Sequence, residues 1–450
     1  MGGGEGEGDY VVIIMRPLLS PFILLCTTGL FAIFSSTISK SPVLPLFASH
    51  LGADPAGVGF VAAVSAFTGI VASIPAGILS DRWGRKRMLI LSAIVFSTAP
   101  FLYLLVKEIW QLAIIRFYHG LATAVFIPVS MAMVSDLFHK ERGERLGWFS
   151  TSTLIGRFMA PMVGGGIIGA MVFNPGISYK VVYLVCGVAG VIALILTFKL
   201  PDANPPHPNP LPPGERELNN PPPLRGGGEG EGERVFSEQI EKRDWKETFA
   251  SFKSVLSNRL ILITAGVEAA ILFAYGTFET FLPLYAIKSG ISAYEVGVFL
   301  SAQVLTLALT KPIMGRFSDK HGRQQQIFGG ALLGAVCIGG FSFFRSFLPL
   351  LVLSVLLGLS LSIVTSATSA FIADLSKSEN RGSAMGILGS IMDIGHTTGP
   401  LISGIVAAYF GFEKAFAGAS LVLIAAALLF WISMGLCRGQ KMGRMSFITW

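Results

Sequence analysis

Seven ionisable side chains stand among residues that are almost all apolar: Lys40, Arg116, Arg157, Glu268, Glu279, Asp393 and His396. A charge inside a long apolar stretch is costly in a lipid environment, and where it persists it marks an ion path, a substrate site or a proton relay. A carboxyl group that titrates when desolvated is the usual proton carrier, so Glu268, Glu279 and Asp393 are the candidates for that role. Lys40 and Glu279 fall at similar depths in two separate apolar segments, so they are expected to pair across a shared space. Glu268 precedes Glu279 by eleven residues, three turns along one helix face. Asp393 and His396 lie mid-segment, as does Arg157. His119, one turn from Arg116, reads as a core histidine, and Lys311 as a cation reaching toward an interface. Other chemistry finds no support. The chain has no Walker loop, no dinucleotide fingerprint and no clustered metal-ligand spacing, so neither an enzyme nor a cofactor or metal is expected. The four cysteines, Cys26, Cys186, Cys337 and Cys437, lie in or at the ends of apolar segments and read as small hydrophobes rather than a disulfide framework.

The elements that must hold these charges are membrane-spanning helices. Of 450 residues, 52% are hydrophobic and only 14% charged, whereas a soluble domain carries about a quarter charged residues. A spanning helix needs about 20 mostly apolar residues. Segments of that length occur near 18–48, 57–79, 88–106, 109–137, 146–173 and 180–199, and again near 259–287, 294–317, 326–344, 347–375, 382–410 and 414–436. The expected fold is therefore all-α, with twelve transmembrane helices in two six-helix halves. The halves occupy 18–200 and 258–437, flanked by a terminal segment 1–17 and a tail 438–450. Between them, 201–257 is polar and rich in Pro, Gly and charge; 203–233 reads as disordered low complexity, and 236–257 as an interfacial helix. The net charge of +7 does not indicate nucleic acid, because the basic residues sit in short runs between apolar stretches.

The two halves repeat each other. Gly77-x-x-Ser80-Asp81-x-x-Gly84-Arg85 returns 238 residues later as Gly315-x-x-Ser318-Asp319-x-x-Gly322-Arg323. Pro45-Leu-Phe-Ala48 returns as Pro283-Leu-Tyr-Ala286, and Gly120 and Asp136 return as Gly358 and Asp374, all at the same offset. Arg157 matches His396 one residue further out of step. Such internal repeats are a mark of transporters. The short loops sort by charge. Arg82, Arg85, Lys86, Arg87, Lys140, Arg142, Arg145, Arg316, Lys320, Arg323, Lys377 and Arg381 lie on one side, and only Lys107, Lys180, Lys288, Arg345 and Lys414 on the other. By the positive-inside rule the first group is cytoplasmic, and both termini and the linker with it.

The loop from Gly77 to Arg87 closely resembles the signature loop between the second and third helices of the major facilitator superfamily, and the likeness extends over nearly the whole chain outside the linker. The resemblance implies a gating latch built from Gly77, Asp81, Gly84, Arg85 and Asp136, with Asp319, Gly322, Arg323 and Asp374 as its copy in the second half. By that resemblance such contacts are expected to latch the outward-facing state and to break when the cytoplasmic side opens. Arg116 with Gly120 is similar to the family's fourth-helix motif, whose buried Arg is tied to proton coupling; Ser354 stands at the repeat position, so the repeat does not demand an Arg there. Gly156, Pro161, Gly164 and Gly165 resemble the fifth-helix motif of drug exporters, although Ala160 replaces its usual Gly before the Pro. The chain also lacks the acidic residue in the first helix that many drug antiporters carry. Lys40, Arg116, Arg157, Glu268, Glu279, Asp393 and His396 are then the residues expected to bind solute or couple protons. Phe31, Phe34, Phe278 and Phe281 are available to line a drug-tolerant cavity.

The expectation is a monomeric, multi-pass protein of the cytoplasmic membrane, a drug:proton antiporter in kind. It would export a small amphipathic or cationic organic solute by alternating access, with the lipid bilayer, the solute and protons as its partners. The rival expectations are a proton-coupled uptake symporter for a sugar or other metabolite, and a scaffold or sensor built on the same fold.

Overall fold

The computed structural model describes residues 20–138, 141–202, 257–376 and 381–445; within these, nothing is said of the side chains of residues 74, 77, 78, 81, 321, 381–383 and 436–445. The expectations for 1–17, for most of the linker and for the interfacial helix before 257 fall outside the described residues. Every regular element described is helical. In chain order these are α1 Pro21–Ile38, α2 Val43–His50, α3 Pro55–Trp83, α4 Arg85–Tyr103, α5 Ile109–Leu137, α6 Arg142–Ala170, α7 Pro175–Phe198, α8 Arg259–Lys288, α9 Ala293–His321, α10 Arg323–Gly340, α11 Phe347–Leu375, α12 Arg381–Phe410 and α13 Phe412–Met445. The pair α1–α2 forms one span, Pro21–His50, and among the described residues ten spans in all have the length and apolarity to cross a bilayer. The chain folds as twelve transmembrane helices, α10 and α12 completing the set. The last helix runs past the expected boundary at 437 to Met445.

Local chemistry sets the helix ends. Asp54 caps α3 by accepting from the Gly57 amide, with Pro55 at the first helical position. Ser292 and Glu295 close a reciprocal capping box on α9, as Glu108 and Gln111 do on α5. Between α3 and α4 the chain turns at Gly84 with φ of 93°, and between α9 and α10 at Gly322 with φ of 94°. Both values lie where a Cβ is penalised, which is why glycine recurs at this point of both signature loops.

The first span departs from expectation. The sequence reads as one segment over 18–48, but the helix stops at Ile38 and restarts at Val43. Pro42 has no amide to continue the ladder. The freed groups are satisfied locally: the Lys40 and Ser41 amides donate to the Thr37 carbonyl at 3.0 and 2.9 Å, and the Leu44 amide to that of Lys40 at 3.1 Å. Non-helical backbone at membrane depth is tolerated where protein or a polar cavity surrounds it. Here it lifts Lys40 out of a regular helix face.

Helix packing within the halves follows the repeat. Ser92 of α4 donates to the Ala122 carbonyl of α5 at 2.8 Å, and Ser360 of α11 donates to the Gly330 carbonyl of α10 at 2.7 Å. These two pairs are repeat equivalents with donor and acceptor exchanged. Gly120 passes close over Ser65 and Thr68 of α3, and Gly358 over Gln303 and Thr306 of α9, again at matching positions. In lipid such close backbone approach, not apolar burial, is the main attraction between helices. Large side chains such as Val336, Leu309 and Ile432 face outward instead.

The two halves meet through α3 with α12 and through α6 with α9, and they are closed at one end only. At the end opposite the basic loops, a Cβ on Gly59 would overlap Pro400 and Gly404, and one on Gly165 would overlap Ala293 and Gly297. An apolar cluster there joins Val43, Leu44, Phe47 and Val58 to Phe278, Phe281, Leu282 and Tyr285. Midway, Ser301 of α9 donates to the Phe158 carbonyl of α6 at 2.7 Å. Further toward the basic loops the same helix pairs part. By the register of the closed-end contacts Gly389 falls opposite Ser73, and Gly147 opposite Pro312, yet among the described residues a Cβ at either meets no atom within 4 Å. The molecule opens toward its basic end.

Candidate functional site

The space left between the parted halves is a cavity of about 460 Å³. Six of the seven charged residues singled out in the sequence line it: Lys40, Arg116, Arg157, Glu279, Asp393 and His396. They arrive on five separate pieces of chain. Lys40 comes from the α1–α2 break, Arg116 from α5, Arg157 from α6, Glu279 from α8, and Asp393 and His396 from α12 within one turn of each other.

At the closed end of the cavity Lys40 Nζ lies 2.8 Å from Glu279 Oε2. His396 Nε2 is 3.3 Å from the same oxygen and 3.5 Å from the Lys40 ammonium. Tyr275, one turn before Glu279, stacks on the His396 ring at 5.6 Å with an interplanar angle of 19°. The pair thus joins the first half to the second across the cavity wall. The carboxylate side chain is 10% exposed and the lysine 26%, so the attraction is only partly screened by solvent.

Arg116 is 3% exposed. Among the described residues its one hydrogen bond is a long one from Nη1 to the Tyr103 hydroxyl at 3.5 Å, and its Nε has no partner. Tyr103 stacks on Tyr183 at 4.5 Å, and His119 Nδ1 lies 3.4 Å from the Tyr103 hydroxyl and 3.5 Å from Ser39 Oγ, with its Nε2 unpartnered. His119 is therefore packed in the first half's core, behind the cavity. Arg157 and Asp393 face the cavity, and neither has an oppositely charged group within 4.0 Å among the described residues.

Glu268 lies apart from the cavity. It is completely buried between α8 and α11, where Thr368 Oγ1 donates to its Oε2 and its Oε1 has no partner. The three-turn spacing from Glu279 does put it on the same helix face, but that face meets α11 at Glu268 and the opposite half at Glu279. The aromatic expectation needs a larger correction. Phe278 and Phe281 are fully buried in the core that seals the closed end, and Phe31 and Phe34 pack against core clusters. None lines the cavity. Its apolar wall is made by Tyr275, Leu272, Leu300, Val304 and Met392. Tyr275 was findable as the residue one turn from Glu279, and Gln303 as the repeat partner of Ser65, since both of these line the cavity as well.

The basic end carries the paired loops. In the first half Arg85 Nε donates to Asp136 Oδ2 at 3.0 Å and its Nη1 to Ser80 Oγ at 2.6 Å. In the second, Arg323 reaches Asp374 at 2.8 Å and Asp319 at 3.2 Å. The side chains of Gly77 and Asp81 lie outside the description. On α6, Gly156 passes against the Leu30 carbonyl, Gly164 against Ile38 and Val43, and Gly165 against α9, while the Pro161 carbonyl faces Gly297. The fifth-helix motif thus packs α6 against α1 on one side and against the other half on the other. Among the described residues no group of three His, Cys, Asp or Glu could hold a metal ion.

Comparison with known proteins agrees with this architecture. Among solved structures, a bacterial homologue of the human lysosomal transporter Spinster, in an inward-facing and occupied conformation, superposes with a TM-score of 0.70 at 15% identity, covering 92% of this chain and 96% of the other. The nucleoside transporter NupG superposes with a TM-score of 0.67 at 14% identity, covering 92% and 99%. In sequence, an uncharacterised MFS-type transporter of Methanocaldococcus jannaschii is 25% identical over 82% of this chain and 87% of its own. Multidrug resistance protein 1 of Bacillus subtilis is 23% identical over 85% and 89%, and the multidrug resistance protein MdtG of Salmonella paratyphi C 25% identical over 87% and 90%. The family model described as Major Facilitator Superfamily matches residues 24–302 and 288–437. The chain belongs to the major facilitator superfamily, a family of membrane transporters.

Proposed function

We propose that this transporter exports a small amphipathic organic solute in exchange for protons, working by alternating access in the cytoplasmic membrane with its basic loops and both termini in the cytoplasm. The observation that carries the reading is the cavity between the halves, closed at one end by the Lys40–Glu279 pair and parted toward the basic loops. With the basic end cytoplasmic, this arrangement is open to the cell interior, where an exporter must load. The export direction is supported by the α6 motif Gly156, Pro161, Gly164 and Gly165 and by relatives named as multidrug resistance proteins.

Three carboxylates divide the remaining work. Glu279 acts as a strut through Lys40 and is engaged when the far end is closed. Glu268, enclosed with one hydroxyl donor and, among the described residues, no cation within 4.0 Å, is the proton carrier: intramembrane carboxylates of this kind are the usual relays. Movement of α8 against α11 would change its surroundings and so link its proton to the state of the cavity. Asp393 faces the solute. The loop pairs Arg85–Asp136 and Arg323–Asp374 each lie within one half and stay formed while the basic end is parted, so, against the expectation of a latch that breaks on opening, they brace the loops of their own half.

The test uses inverted membrane vesicles with an imposed pH gradient, acid inside, followed with a pH-sensitive fluorophore. Addition of a transported solute should collapse the gradient, and Glu268→Gln should abolish that collapse with the protein still present in the membrane. Collapse that survives in Glu268→Gln moves the proton to Asp393 or Glu279. No collapse with any solute, together with solute accumulation in intact cells, would replace export by uptake.

A further inference from the structure

We propose that the solute held in the central cavity carries an anionic head group. The proposal rests on the reading of this cavity as the transport site, and it concerns the charge of what binds there. The wall bears three cations, Lys40, Arg116 and Arg157, against two carboxylates, Glu279 and Asp393. Lys40 and Glu279 neutralise each other at 2.8 Å. Asp393 stands against α3, its Oδ2 3.7 Å from where a Cβ on Gly69 would lie, without a cation partner. The two arginines likewise have no carboxylate within 4.0 Å among the described residues, so the cavity keeps one positive charge in excess.

The placement of Arg116 makes that excess consequential. It is 3% exposed, its Nε has no hydrogen-bond partner, and its one hydrogen bond among the described residues is a long one to the Tyr103 hydroxyl. A guanidinium taken out of water without a counter-ion is expensive to keep, and its planar fork of donors matches a carboxylate, phosphonate or sulfonate. Arg157 is exposed into the same space. An organic anion entering the cavity would supply the missing counter-charge. Its apolar body would find Leu272, Tyr275 and Met392. A volume of about 460 Å³ suits a drug-sized solute and is too small for a two-chain phospholipid. Because Glu268 lies outside the cavity, the anion and the proton need not share one carboxylate. The cationic solute expected from the sequence would instead meet like charge.

The test is equilibrium binding to the full-length chain in nanodiscs of zwitterionic lipid. Three dansyl probes of similar body are compared: dansylglycine, dansylglycinamide and 2-(dansylamino)ethyltrimethylammonium, each corrected for empty nanodiscs. Dansylglycine should bind about tenfold or more tightly than either other probe. Arg157→Gln should remove most of that preference, whereas Arg157→Lys should keep most of it; the side chain is exposed, so neither change threatens folding. Equal binding of the three probes, tighter binding of the ammonium, absence of saturable dansylglycine binding, or a preference untouched by Arg157→Gln would each overturn the proposal. No gradient is involved, so a chain that keeps the anion preference but fails to move protons in vesicles would refute the exchange mechanism and leave this inference standing.

Discussion

Replacing Glu279 with glutamine should open the end of the molecule that Lys40 and Glu279 now hold shut. At 2.8 Å and an effective dielectric of about 20, two unit charges attract by about 6 kcal/mol. Desolvation consumes much of this, and breaking a buried pair by removing one partner costs about 3–5 kcal/mol. Lys40 is about a quarter exposed, so solvent recovers part of the loss, and about 2 kcal/mol is a fair figure. The pair links the two halves, so that energy belongs to the closed end and is absent when the end opens. A change of about 2 kcal/mol shifts the two-state ratio about thirtyfold. Spin labels on Phe173→Cys and Tyr409→Cys, exposed residues at the closed end in opposite halves, would report it by pulsed dipolar spectroscopy, with Cys26 and Cys437 changed to Ser. Wild type should give the short distance, Glu279→Gln a mixture with a longer one, and the exchanged pair Lys40→Glu with Glu279→Lys should recover the short distance. Identical distance distributions in wild type and Glu279→Gln would refute the strut.

Two further outcomes follow from the packing. Gly59→Val and Gly165→Val should reduce solute-driven proton movement by more than about tenfold without lowering the amount of protein in the membrane, because each side chain would occupy the backbone of the opposite half; Gly176→Val, with open space around it, should behave as wild type in the same vesicle assay. The two loop pairs should differ in strength. Arg85 and Asp136 are 12% and 16% exposed, whereas Arg323 and Asp374 are 23% and 54%, so a double-mutant cycle read by thermal unfolding in detergent should give a coupling of about 1–3 kcal/mol for the first and below about 1 kcal/mol for the second.

Why six of seven charges met in one cavity while other expectations failed comes down to which constraints act locally. An ion in a membrane segment has few affordable positions, so its presence in an apolar stretch already says that it faces protein or water. With twelve helices in two halves, the largest space available to such groups is the one between the halves. The constant 238-residue offset likewise acts without knowledge of packing: the resemblance suggested Arg85 with Asp136, and the offset carried that pair to Arg323 with Asp374 and the glycine turn at 84 to the one at 322. The misses depend on neighbours that no local pattern encodes. Phe278 is one residue from Glu279 and shares its segment, yet a step of one residue turns it about 100° around the helix, from the cavity into the sealed core. Glu268 keeps the face of Glu279 but not its neighbour, because the halves diverge along the length of α8. Ser39-Lys-Ser-Pro42 reads as helix in an apolar window, and its repeat counterpart in α8 is unbroken. That asymmetry carries a consequence for mechanism. If the break at Lys40 sets the height of its ammonium, then the strut is a property of the backbone at 39–42 as much as of the two charges. A helix rebuilt there would move the ammonium even with Lys40 and Glu279 intact.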